Sequence, residues 1–440
     1  MTQQTHRDNV HQLRSDPVII PRNEHSISRS QISENALKVL YRLKSAGYRA
    51  CLVGGSVRDL LLGREPKDFD VATDARPEQV RELFRNCLLI GRRFRLAHVR
   101  YGDEIIEVST FRAPHDVEGA EHEADGRILR DNVYGSIDED VWRRDFTVNA
   151  LYYDIADFSV IDYVNGMADV KAGRMRLIGD PVKRYTEDPV RLLRAVRFAV
   201  KLGFRIEPET EKPIFDLGYL LDDIPSARLF EETLKLFMGG CAVQTFEQLR
   251  HYNLFRCLFP QTDAVLAQQE GGFPQTLLIR ALENTDARLA EGKPVTPGFL
   301  IAALLWAPMH ALAQEHMAGG MPPAEAMMLA ADSVISRQVN ATAMPRRFTQ
   351  MARDIWQMQP RLKRTRGKRP QRLLQHPRFR AAYDFLLLRA EAGEEVNELV
   401  EWWTQFQQDP EHAALMEKEQ KPRTGKRRRR YRRPRNPAGK

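Results

Sequence analysis

A Gly-Gly pair and an acidic pair stand close together in the amino-terminal third of this 440-residue chain. Gly54 and Gly55 follow a short apolar run, and Asp68, Phe69 and Asp70 come soon after. Side chains alternate between the two faces of a strand, so we expect both carboxylates on one side and Phe69 on the other. Glycines let backbone N–H groups approach phosphate, and paired carboxylates can hold a divalent cation over a triphosphate. The pattern therefore predicts a site for nucleotidyl transfer.

A third carboxylate is expected from a neighbouring strand. Glu107 alternates with Ile106 and Val108, which is typical of a strand that buries one face. Two hard cations need bridging oxygens, and two carboxylates rarely provide enough of them. We therefore expect Glu107 to face the acidic pair, with Arg58 near the phosphate. Alternatively, Arg58 pairs with Asp59 and only holds the turn.

The segment 143–150 is the next candidate. Arg144 can clamp phosphate through two hydrogen bonds, and Asp145 and Asn149 can bind ribose hydroxyls or orient arginine side chains. An ordinary salt-bridged turn would use the same residues. Their assignment to a site therefore depends on the acidic cluster upstream.

The residues best suited to read a base lie around Pro189. Proline fits the first turn of a helix, and Asp188 just before it could serve only as the helix cap. Alternatively, its carboxylate accepts a hydrogen bond from an exocyclic amine while Arg191 donates to a ring nitrogen. Adenine and cytosine offer that pattern, whereas guanine and uracil do not, so the pair predicts ATP or CTP.

The surrounding patterns predict a small α/β head followed by a long helical region. Ser33 can cap a helix, and strands are expected at 51–53, at the acidic pair, at 98–101 and at 105–111. Helical patterns dominate from residue 188 to 408. We expect a flexible extension over 1–32, a catalytic head over 33–178, a helical neck over 179–265, a helical body over 266–410 and a disordered basic tail over 411–440.

Charge is distributed unevenly along the chain. The formal net charge is +8, yet residues 421–440 contain eleven Lys or Arg and no acid, so the other 420 residues carry −3. Runs of like charge stay unfolded and bind polyanions by releasing counterions. The tail therefore predicts a nucleic-acid partner, with a solubilising role or binding to acidic lipid as alternatives.

Other bulk features bear on location. The first twenty residues lack the apolar core of a secretory signal, and the longest apolar run, 299–313, is interrupted by Pro308 and His310. The four cysteines form no C-x-x-C pair, which argues against a zinc site and favours reduced thiols. We expect a cytoplasmic protein with no membrane span.

Taken together, these motifs closely resemble the class II nucleotidyltransferase superfamily, which comprises bacterial poly(A) polymerases and tRNA CCA-adding enzymes. The resemblance covers residues 34–260 and rests on motifs at 54–59, 68–70, 107–112, 143–150, 187–198 and 224–232. It implies an α+β fold with a small nucleotidyltransferase head, similar to polymerase β and built on a mixed sheet. A mostly helical neck, an RNA-binding body and a disordered basic tail would follow.

The resemblance also implies roles for individual residues. Asp68, Asp70 and Glu107 would hold two Mg²⁺ ions, with Mn²⁺ as an alternative, and Asp145 would organise the catalytic site. The nucleotide would be contacted by Gly54, Gly55, Arg58, Arg144, Asn149, Asp188, Arg191 and Arg194, of which the last three would face adenine. RNA would be held by Arg364, Arg366, Lys368, Arg369, Arg372, Arg427, Arg428, Arg429, Arg430, Arg432 and Arg433.

Two features favour the poly(A) polymerase branch of the superfamily. The segment 90–99 and the arginine-rich carboxyl terminus are similar to that branch. The His-Asp pair of the phosphohydrolase domain found in some CCA-adding enzymes occurs here only as His115-Asp116, in an expected loop. We therefore predict a template-independent polynucleotide adenylyltransferase that adds AMP from ATP to RNA 3′ ends, with RNA-degradation proteins as possible partners. A CCA-adding enzyme is the alternative, and a non-catalytic RNA-binding protein is a more remote one.

Overall fold

The computed structural model describes residues 16–91, 95–113, 121–122, 128–130, 133–268 and 273–409. The chain divides into two compact units, residues 1–257 and 258–440. The expected head and most of the expected neck fall in the first unit, while the boundary expected at 265–266 lies beyond the observed division. The expected tail and the His115-Asp116 pair of the expected loop lie outside the described residues.

A mixed sheet of eight strands forms the framework of the first unit. The strands of this unit are β1 Val18–Ile20, β2 Ala50–Val53, β3 Asp70–Thr73, β4 Cys87–Ile90, β5 Leu96–Tyr101, β6 Glu104–Thr110, β7 Glu121–His122, β8 Ile128–Arg130, β9 Leu151–Asp154, β10 Val160–Asp162, β11 Arg174–Met175 and β12 Arg205–Ile206. The order in the sheet is β1-β10-β9-β2-β3-β6-β5-β4, in which only β3 and β6 are parallel neighbours. The strands predicted at 51–53, 98–101 and 105–111 correspond to β2, β5 and β6.

Helices cover one face of this sheet. The helices of the first unit are α1 Glu34–Ser45, α2 Gly55–Leu61, α3 Pro77–Leu83, α4 Ile137–Arg143, α5 Gly166–Ala172, α6 Pro181–Glu187, α7 Val190–Leu202, α8 Pro208–Leu217, α9 Ser226–Phe237 and α10 Ala242–His251, and α11 Phe255–Leu258 spans the division. The Ser33 hydroxyl accepts a hydrogen bond from the Ala36 N–H at 3.1 Å, so α1 begins at its predicted cap. Helix α1 packs against β2, β3 and β6, and α3 packs against β4, β5 and β6.

The opposite face is covered over only part of its width. A buried cluster that includes Val53, Val141 and Tyr152 covers the half formed by β2, β9 and β10. On β4, β5 and β6, the side chains directed to this face are half-buried or exposed, among them Leu88 and Glu107. The face therefore has a covered half and an open half, which meet at β3.

The expected flexible extension over residues 1–32 is wrong from residue 18 onward. Strand β1 pairs with β10 in antiparallel register, and Ser28 caps a 3₁₀ turn at Arg29–Gln31. Ile20 and Ile27 are buried. Three β-branched residues suffice for an edge strand, but a run this short carries no readable period.

The second unit is helical over its described residues, as predicted. Its remaining helices are α12 Pro260–Gln268, α13 Phe273–Ala290, α14 Pro297–Leu304, α15 Trp306–Ala318, α16 Pro323–Ala341, α17 Arg346–Leu362, α18 Arg369–Leu374, α19 Phe379–Glu391 and α20 Asn397–Gln408. Trp356 and Trp403 are fully buried, and their indole N–H groups donate to the carbonyls of Ala302 and Leu362 at 3.1 and 3.0 Å. Within the described ranges no single helix is both long enough and apolar enough to cross a membrane. Helices α14 and α15 have that length and composition only when they are taken together, and a bend of 52° separates them.

Candidate active site

The Gly-Gly turn lies between β2 and α2. Gly54 has φ +77°, a backbone conformation that side chains disfavour. A Cβ at Gly54 would lie 3.7 Å from Nη1 of Arg144 and 3.9 Å from the carbonyl oxygen of Asn149. The structure therefore brings the turn and the Arg144 guanidinium together, as a phosphate site requires.

Asp70 and Glu107 lie side by side where the covered and open halves of the sheet face meet. Asp70 is the first residue of β3, and Glu107 on β6 is its partner in the parallel register, so both side chains project from the same face. Asp68 is exposed and Phe69 is buried, which is the predicted alternation. Asp68 itself precedes β3, however, so it does not lie on the strand where it was expected.

Negative charge accumulates at this carboxylate pair. Burial, followed by the charges of Glu107 and Asp68, raises the pKa of Asp70 to about 6, while Arg144 acts in the opposite direction. Among the residues that the structure describes, no group of three or more His, Cys, Asp or Glu side chains is arranged to hold a metal ion. The structure thus pairs Asp70 with Glu107 and leaves Asp68 near enough to act through its charge.

Arg144 is held by two partners that sequence reasoning missed. Its Nε donates to the Tyr152 hydroxyl at 2.7 Å, and its Nη2 donates to Oδ2 of Asp140 at 2.9 Å. The Tyr152 hydroxyl in turn donates to the same oxygen of Asp140 at 2.7 Å. The four-residue spacing of Asp140 and Arg144 was a readable helical signal, whereas Tyr152 is brought in only by the position of β9.

Arg58, Asp145, Asn149 and Arg194 form one chain of polar contacts. Arg194 donates through Nε and Nη2 to Oδ2 of Asp145 at 2.8 and 2.5 Å. Oδ1 of Asp145 accepts from Asn149 at 3.2 Å, and the other end of the Asn149 amide accepts from Arg58 at 2.5 Å. Arg58 also pairs with Asp59 at 2.7 Å, as in the alternative in which these two residues hold the turn.

These contacts have consequences for three predicted roles. Burial alone would raise the pKa of Asp145, but the charge and hydrogen bonds of Arg194 hold it below its ordinary value. Arg194 thus lies against Asp145, and its predicted contact with adenine stays a prediction. The catalytic assignment of Asp145 and the nucleotide assignment of Arg58 also stay predictions, since both side chains are engaged within the protein.

Asp188 and Arg191 lie together where α6 ends and α7 begins. Oδ2 of Asp188 accepts from Arg228 at 2.9 Å, while its Oδ1 is buried with no donor among the described residues. Arg191 donates to the carbonyl of Arg184 at 2.6 Å, and burial lowers the pKa of Arg191. Helix α7 has no side-chain cap, so the capping alternative for Asp188 is wrong. The charge of Asp188 acts on the nearby Arg191 guanidinium, so the two residues lie together as expected, and their contact with a base stays a prediction.

Two more residues near these groups were given no role from the sequence. His98 is the partner of Glu107 in the antiparallel register of β5 and β6, and its Nε2 lies 3.2 Å from Oε1 of Glu107. Its alternation with the buried residues Ala97 and Val99 was the available signal. Arg228 belongs to the motif at 224–232, but nothing in that motif indicates its contact with Asp188.

The predicted RNA-binding residues of the second unit lie in one short stretch. Arg364, Arg366, Lys368, Arg369 and Arg372 are all exposed between the end of α17 and the end of α18. Five cations on so short a stretch suit contacts with a phosphate backbone. The six predicted arginines from 427 to 433 lie outside the described residues, so the tail contacts stay predictions.

Three family models match successive parts of the chain. The model described as Poly A polymerase head domain matches residues 50–176. The model described as Probable RNA and SrmB-binding site of polymerase A matches residues 203–266. The model described as Polymerase A arginine-rich C-terminus matches residues 319–436. Their order follows that of the predicted head, neck, body and tail.

Relatives from the two branches of the superfamily match different shares of this chain. Poly(A) polymerase I of Escherichia coli O6:H1 is 52% identical over 435 residues, which cover 96% of this chain and 94% of that protein. A CCA-adding enzyme of Lactobacillus helveticus is 41% identical over 212 residues, which cover 48% of this chain and 52% of that enzyme.

The fold is shared with a solved structure from the second branch. The Bacillus stearothermophilus CCA-adding enzyme in complex with CTP is 26% identical with a TM-score of 0.55, covering 84% of this chain and 81% of that one. This likeness confirms the predicted superfamily fold. Because the similarity to poly(A) polymerase I extends over nearly all of both proteins, the chain belongs to the bacterial poly(A) polymerase family.

Proposed function

We propose that the chain is a template-independent polynucleotide adenylyltransferase, which transfers AMP from ATP to the 3′ end of RNA and releases pyrophosphate. The observation that carries the proposal is the pairing of Asp70 with Glu107 on one sheet face. The Gly54 turn and Arg144 adjoin each other in the same unit and offer a phosphate site. Membership in the poly(A) polymerase family supports adenylate as the transferred group.

Asp68, Asp70 and Glu107 would hold two divalent cations, for which we propose Mg²⁺, with Mn²⁺ as the alternative. The residues fit this role, because carboxylate oxygens are the hard ligands that these ions prefer. Burial, and after it the negative charge of Glu107 and Asp68, raises the pKa of Asp70, and a bound cation would offset that charge. When bound, the ions would activate the RNA 3′-hydroxyl and neutralise charge on the triphosphate.

The remaining residues would bind and orient the nucleotide. Arg144, already fixed by Asp140 and Tyr152, would meet the triphosphate at the Gly54 turn without further ordering of its side chain. Oδ1 of Asp188 would accept from the exocyclic amine of adenine, and Arg191 would donate to the ring nitrogen. Selection of the base would thus reside in the protein, which suits the growth of a homopolymer without a template.

Addition of CCA to tRNA is the second candidate function. Cytosine presents the same donor–acceptor pattern as adenine, and a CCA-adding enzyme in complex with CTP shares the fold. The CCA-adding relative from Lactobacillus helveticus, however, matches only half of this chain. We therefore place adenylyl transfer first.

An extension assay separates these functions. Purified protein is given a 5′-labelled RNA of arbitrary sequence, Mg²⁺ and each nucleoside triphosphate in turn. We expect long ladders with ATP alone and none from the Asp68→Ala plus Asp70→Ala variant. The control is Asp103→Asn, which changes an exposed carboxylate in the turn between β5 and β6 and should extend RNA like the wild type.

Other outcomes would change the assignment. Addition that uses CTP and halts on tRNA ends would make the chain a CCA-adding enzyme. Failure to extend any RNA with any nucleotide would overturn both activities. A non-catalytic RNA-binding protein would then be the remaining hypothesis.

Partners and location are also part of the proposal. RNA 3′ ends are the proposed acceptors, and proteins of RNA degradation are the proposed protein partners. The match of residues 203–266 to a model described as a probable RNA- and SrmB-binding site supports contact with RNA and with a protein partner. We propose a cytoplasmic location on the sequence grounds given above.

A further inference from the structure

Two aromatic side chains are exposed on the surface of the first unit. Phe215 in α8 is 51% exposed, and Tyr219 in the 3₁₀ turn that follows, Gly218–Asp223, is 57% exposed. The other large apolar side chains that the described residues expose are not aromatic. We call Phe215 and Tyr219 the aromatic pair. Exposed apolar surface that is rimmed by polar groups often marks a site of interaction with another protein.

The path of the chain places both rings on one side of the same helical segment. Gly218, which lies between them, has φ −54° and ψ −32°, so the backbone keeps a right-handed turn from α8 into the 3₁₀ segment. Side chains three or four residues apart along a helix are neighbours on its surface. Phe215 and Tyr219 are four residues apart and therefore contribute to one surface.

Packing holds the Phe215 ring in place although half of the side chain is exposed. The ring meets His251 and Tyr252 edge-on, with centroids 5.4 and 5.1 Å apart. The Tyr252 hydroxyl donates to Oε1 of Glu211 at 2.6 Å, which ties α8 to the end of α10. A side chain that is ordered in advance loses less entropy when a partner binds. Phe215 is therefore suited to act as an anchor for a partner.

The segment that carries the aromatic pair is strongly acidic. Residues 207–223 contain six Asp or Glu and one Lys, so their net charge is −5. Asp216 and Asp223, which lie near the pair in the sequence, are exposed. The longer stretch 203–266, which matches the model described as a probable RNA- and SrmB-binding site, contains ten acids and six Lys or Arg, a net charge of −4. Charge of this sign repels the phosphates of RNA and attracts cations.

We propose that the aromatic pair docks a protein partner through a segment that presents arginine or lysine side chains. This inference deepens the proposed contact with a protein partner and rests on that part of the proposed function. A guanidinium stacks on an aromatic face, and the neighbouring carboxylates can pair with further cations of the same segment. RNA bases also stack on aromatic rings, but the phosphates between them would meet the acidic surface. The charge around the pair therefore favours a cationic protein segment over RNA.

The test uses defined probes and the full-length protein. The first probe is a fluorescein-labelled peptide of six Arg-Ser repeats. The second carries citrulline in place of arginine, which keeps the planar end of the side chain without its charge. The third is a labelled RNA of the same number of residues and mixed sequence. Fluorescence anisotropy at low salt, where contacts between charges are least screened, measures the affinity for each probe.

The principal variant is Phe215→Ser plus Tyr219→Ser. Tyr219→Ser alone keeps the packing of Phe215 and tests the pair if the double variant does not fold. The matched control is Val18→Ser plus Ile19→Ser, which changes two apolar side chains of β1 that are 56 and 50% exposed. Thermal unfolding shows whether each variant is folded, and sedimentation velocity shows whether it associates with itself.

We expect the wild type and the control to bind the arginine peptide about tenfold more tightly than the double variant does, a difference of roughly 1.4 kcal/mol. Tyr219→Ser alone should lose about threefold in affinity for that peptide. All four proteins should bind the citrulline peptide with the same low affinity, because it has no charge to stack or pair. The affinity for RNA should stay within about twofold in every variant.

A folded double variant that binds the arginine peptide as tightly as the wild type would overturn the inference. Equal affinity of the wild type for the arginine and citrulline peptides would overturn it too. Loss of RNA affinity with unchanged peptide binding would assign the aromatic pair to RNA instead, and loss of self-association would assign it to a second copy of the chain. Extension of RNA with ATP is measured without peptide, so its failure would overturn adenylyl transfer and leave the peptide result standing.

Discussion

At the scale of one side chain, Asp70 in the candidate site lowers the free energy of unfolding. Burial first, and then the charges of Glu107 and Asp68, raise its pKa from 3.8 to about 6. The folded protein therefore binds this proton more tightly than the unfolded chain does. Above pH 6 the ionised carboxylate lowers the free energy of unfolding, by roughly 3 kcal/mol at most, and below about pH 4 this cost disappears.

Asp70→Asn should consequently stabilise the protein while removing a metal ligand. We expect the free energy of unfolding to rise by about 1–3 kcal/mol at pH 7.5 without divalent cations, and to change little at pH 4. Urea denaturation at both pH values measures this difference, with Asp103→Asn as the control that should change neither value. Mg²⁺ should narrow the gap by stabilising only the wild type. A variant less stable than the wild type at pH 7.5 would contradict this account.

Base choice is the second property argued from single residues. Asp188→Asn keeps the size of the side chain but replaces one carboxylate oxygen by an NH₂ group, which cannot accept a hydrogen bond. Because Arg228 donates to Oδ2, the amide oxygen should take that position and the NH₂ group should take the position of Oδ1, which the adenine amine would meet. A hydrogen bond to a charged group contributes about 1.5–3 kcal/mol, so the KM for ATP should rise by about tenfold or more. Steady-state extension kinetics measure it, and Asp222→Asn, an exposed acid of the same unit, is the control. An unchanged KM would remove Asp188 from base recognition.

Residue types and local alternation were enough to predict that Glu107 lies beside Asp70 and that Asp188 and Arg191 lie together, while the roles of these residues stay predictions. They were not enough to predict which side chains hold these residues in place through hydrogen bonds. Arg228 lies 40 residues from Asp188 in the chain, and Tyr152 reaches Arg144 only because β9 pairs with β2. Such contacts depend on strand order and helix packing, which a local pattern does not encode.

At the scale of elements, α7 illustrates both success and failure of the sequence patterns. Leu192, Leu193, Val196 and Ala199 are buried on one face of the helix, because helical spacing alone determines which side chains share a face. The predicted contact of Arg194 with adenine stays a prediction, while its side chain donates to Asp145 and so ties α7 to it. That contact joins a helix to the turn after α4, so it could not be read from either segment alone.

Arg194→Gln should therefore weaken the packing of α7. The substitution leaves the carboxylate of Asp145 buried without its charged partner, and we expect a loss of about 2–4 kcal/mol in the free energy of unfolding at pH 7. Because the folded pKa of Asp145 is lowered, the wild type holds this contribution above about pH 4 and loses it as the pH falls further. The difference between the two proteins should thus shrink between pH 5 and pH 3 in urea denaturation. Lys201→Gln, at an exposed position on the same helix, should show neither effect.

The edge of the sheet shows another limit of sequence reasoning. Val18, Ile19 and Ile20 form β1 by pairing with residues 160–162, far along the chain. Three residues are too few to show a period, and their apolar character fits a disordered extension as well as a strand. The central strands β2, β5 and β6 were predicted because each alternates or buries a run of apolar side chains.

At the scale of the whole molecule, charge separates the tail from the rest of the chain. Residues 421–440 carry eleven basic side chains, while the other 420 residues have a net charge of −3. The rest of the chain therefore offers little overall attraction to RNA beyond local groups such as the basic residues from 364 to 372. A polyanion should consequently draw much of its salt-dependent affinity from the tail.

Truncation after Glu419 should weaken RNA binding more than catalysis. Each phosphate contact adds about 0.7 to the steepness of the fall of log affinity with log salt for single strands. With about half of the eleven tail charges in contact with phosphate, truncation should reduce that steepness by roughly 3–5. At 50 mM salt we expect affinity to fall by about a hundredfold, with kcat at saturating RNA within about twofold of the wild type. Fluorescence anisotropy over a salt series and single-nucleotide addition measure the two quantities. Full-length controls distinguish charge from length. Changing the six arginines from 427 to 433 to lysine should keep the slope, and changing them to glutamine, which removes six of the eleven charges, should lower the slope by about half as much as the truncation does. Unchanged affinity of the truncated protein at low salt would place the RNA-binding charge in the folded units instead.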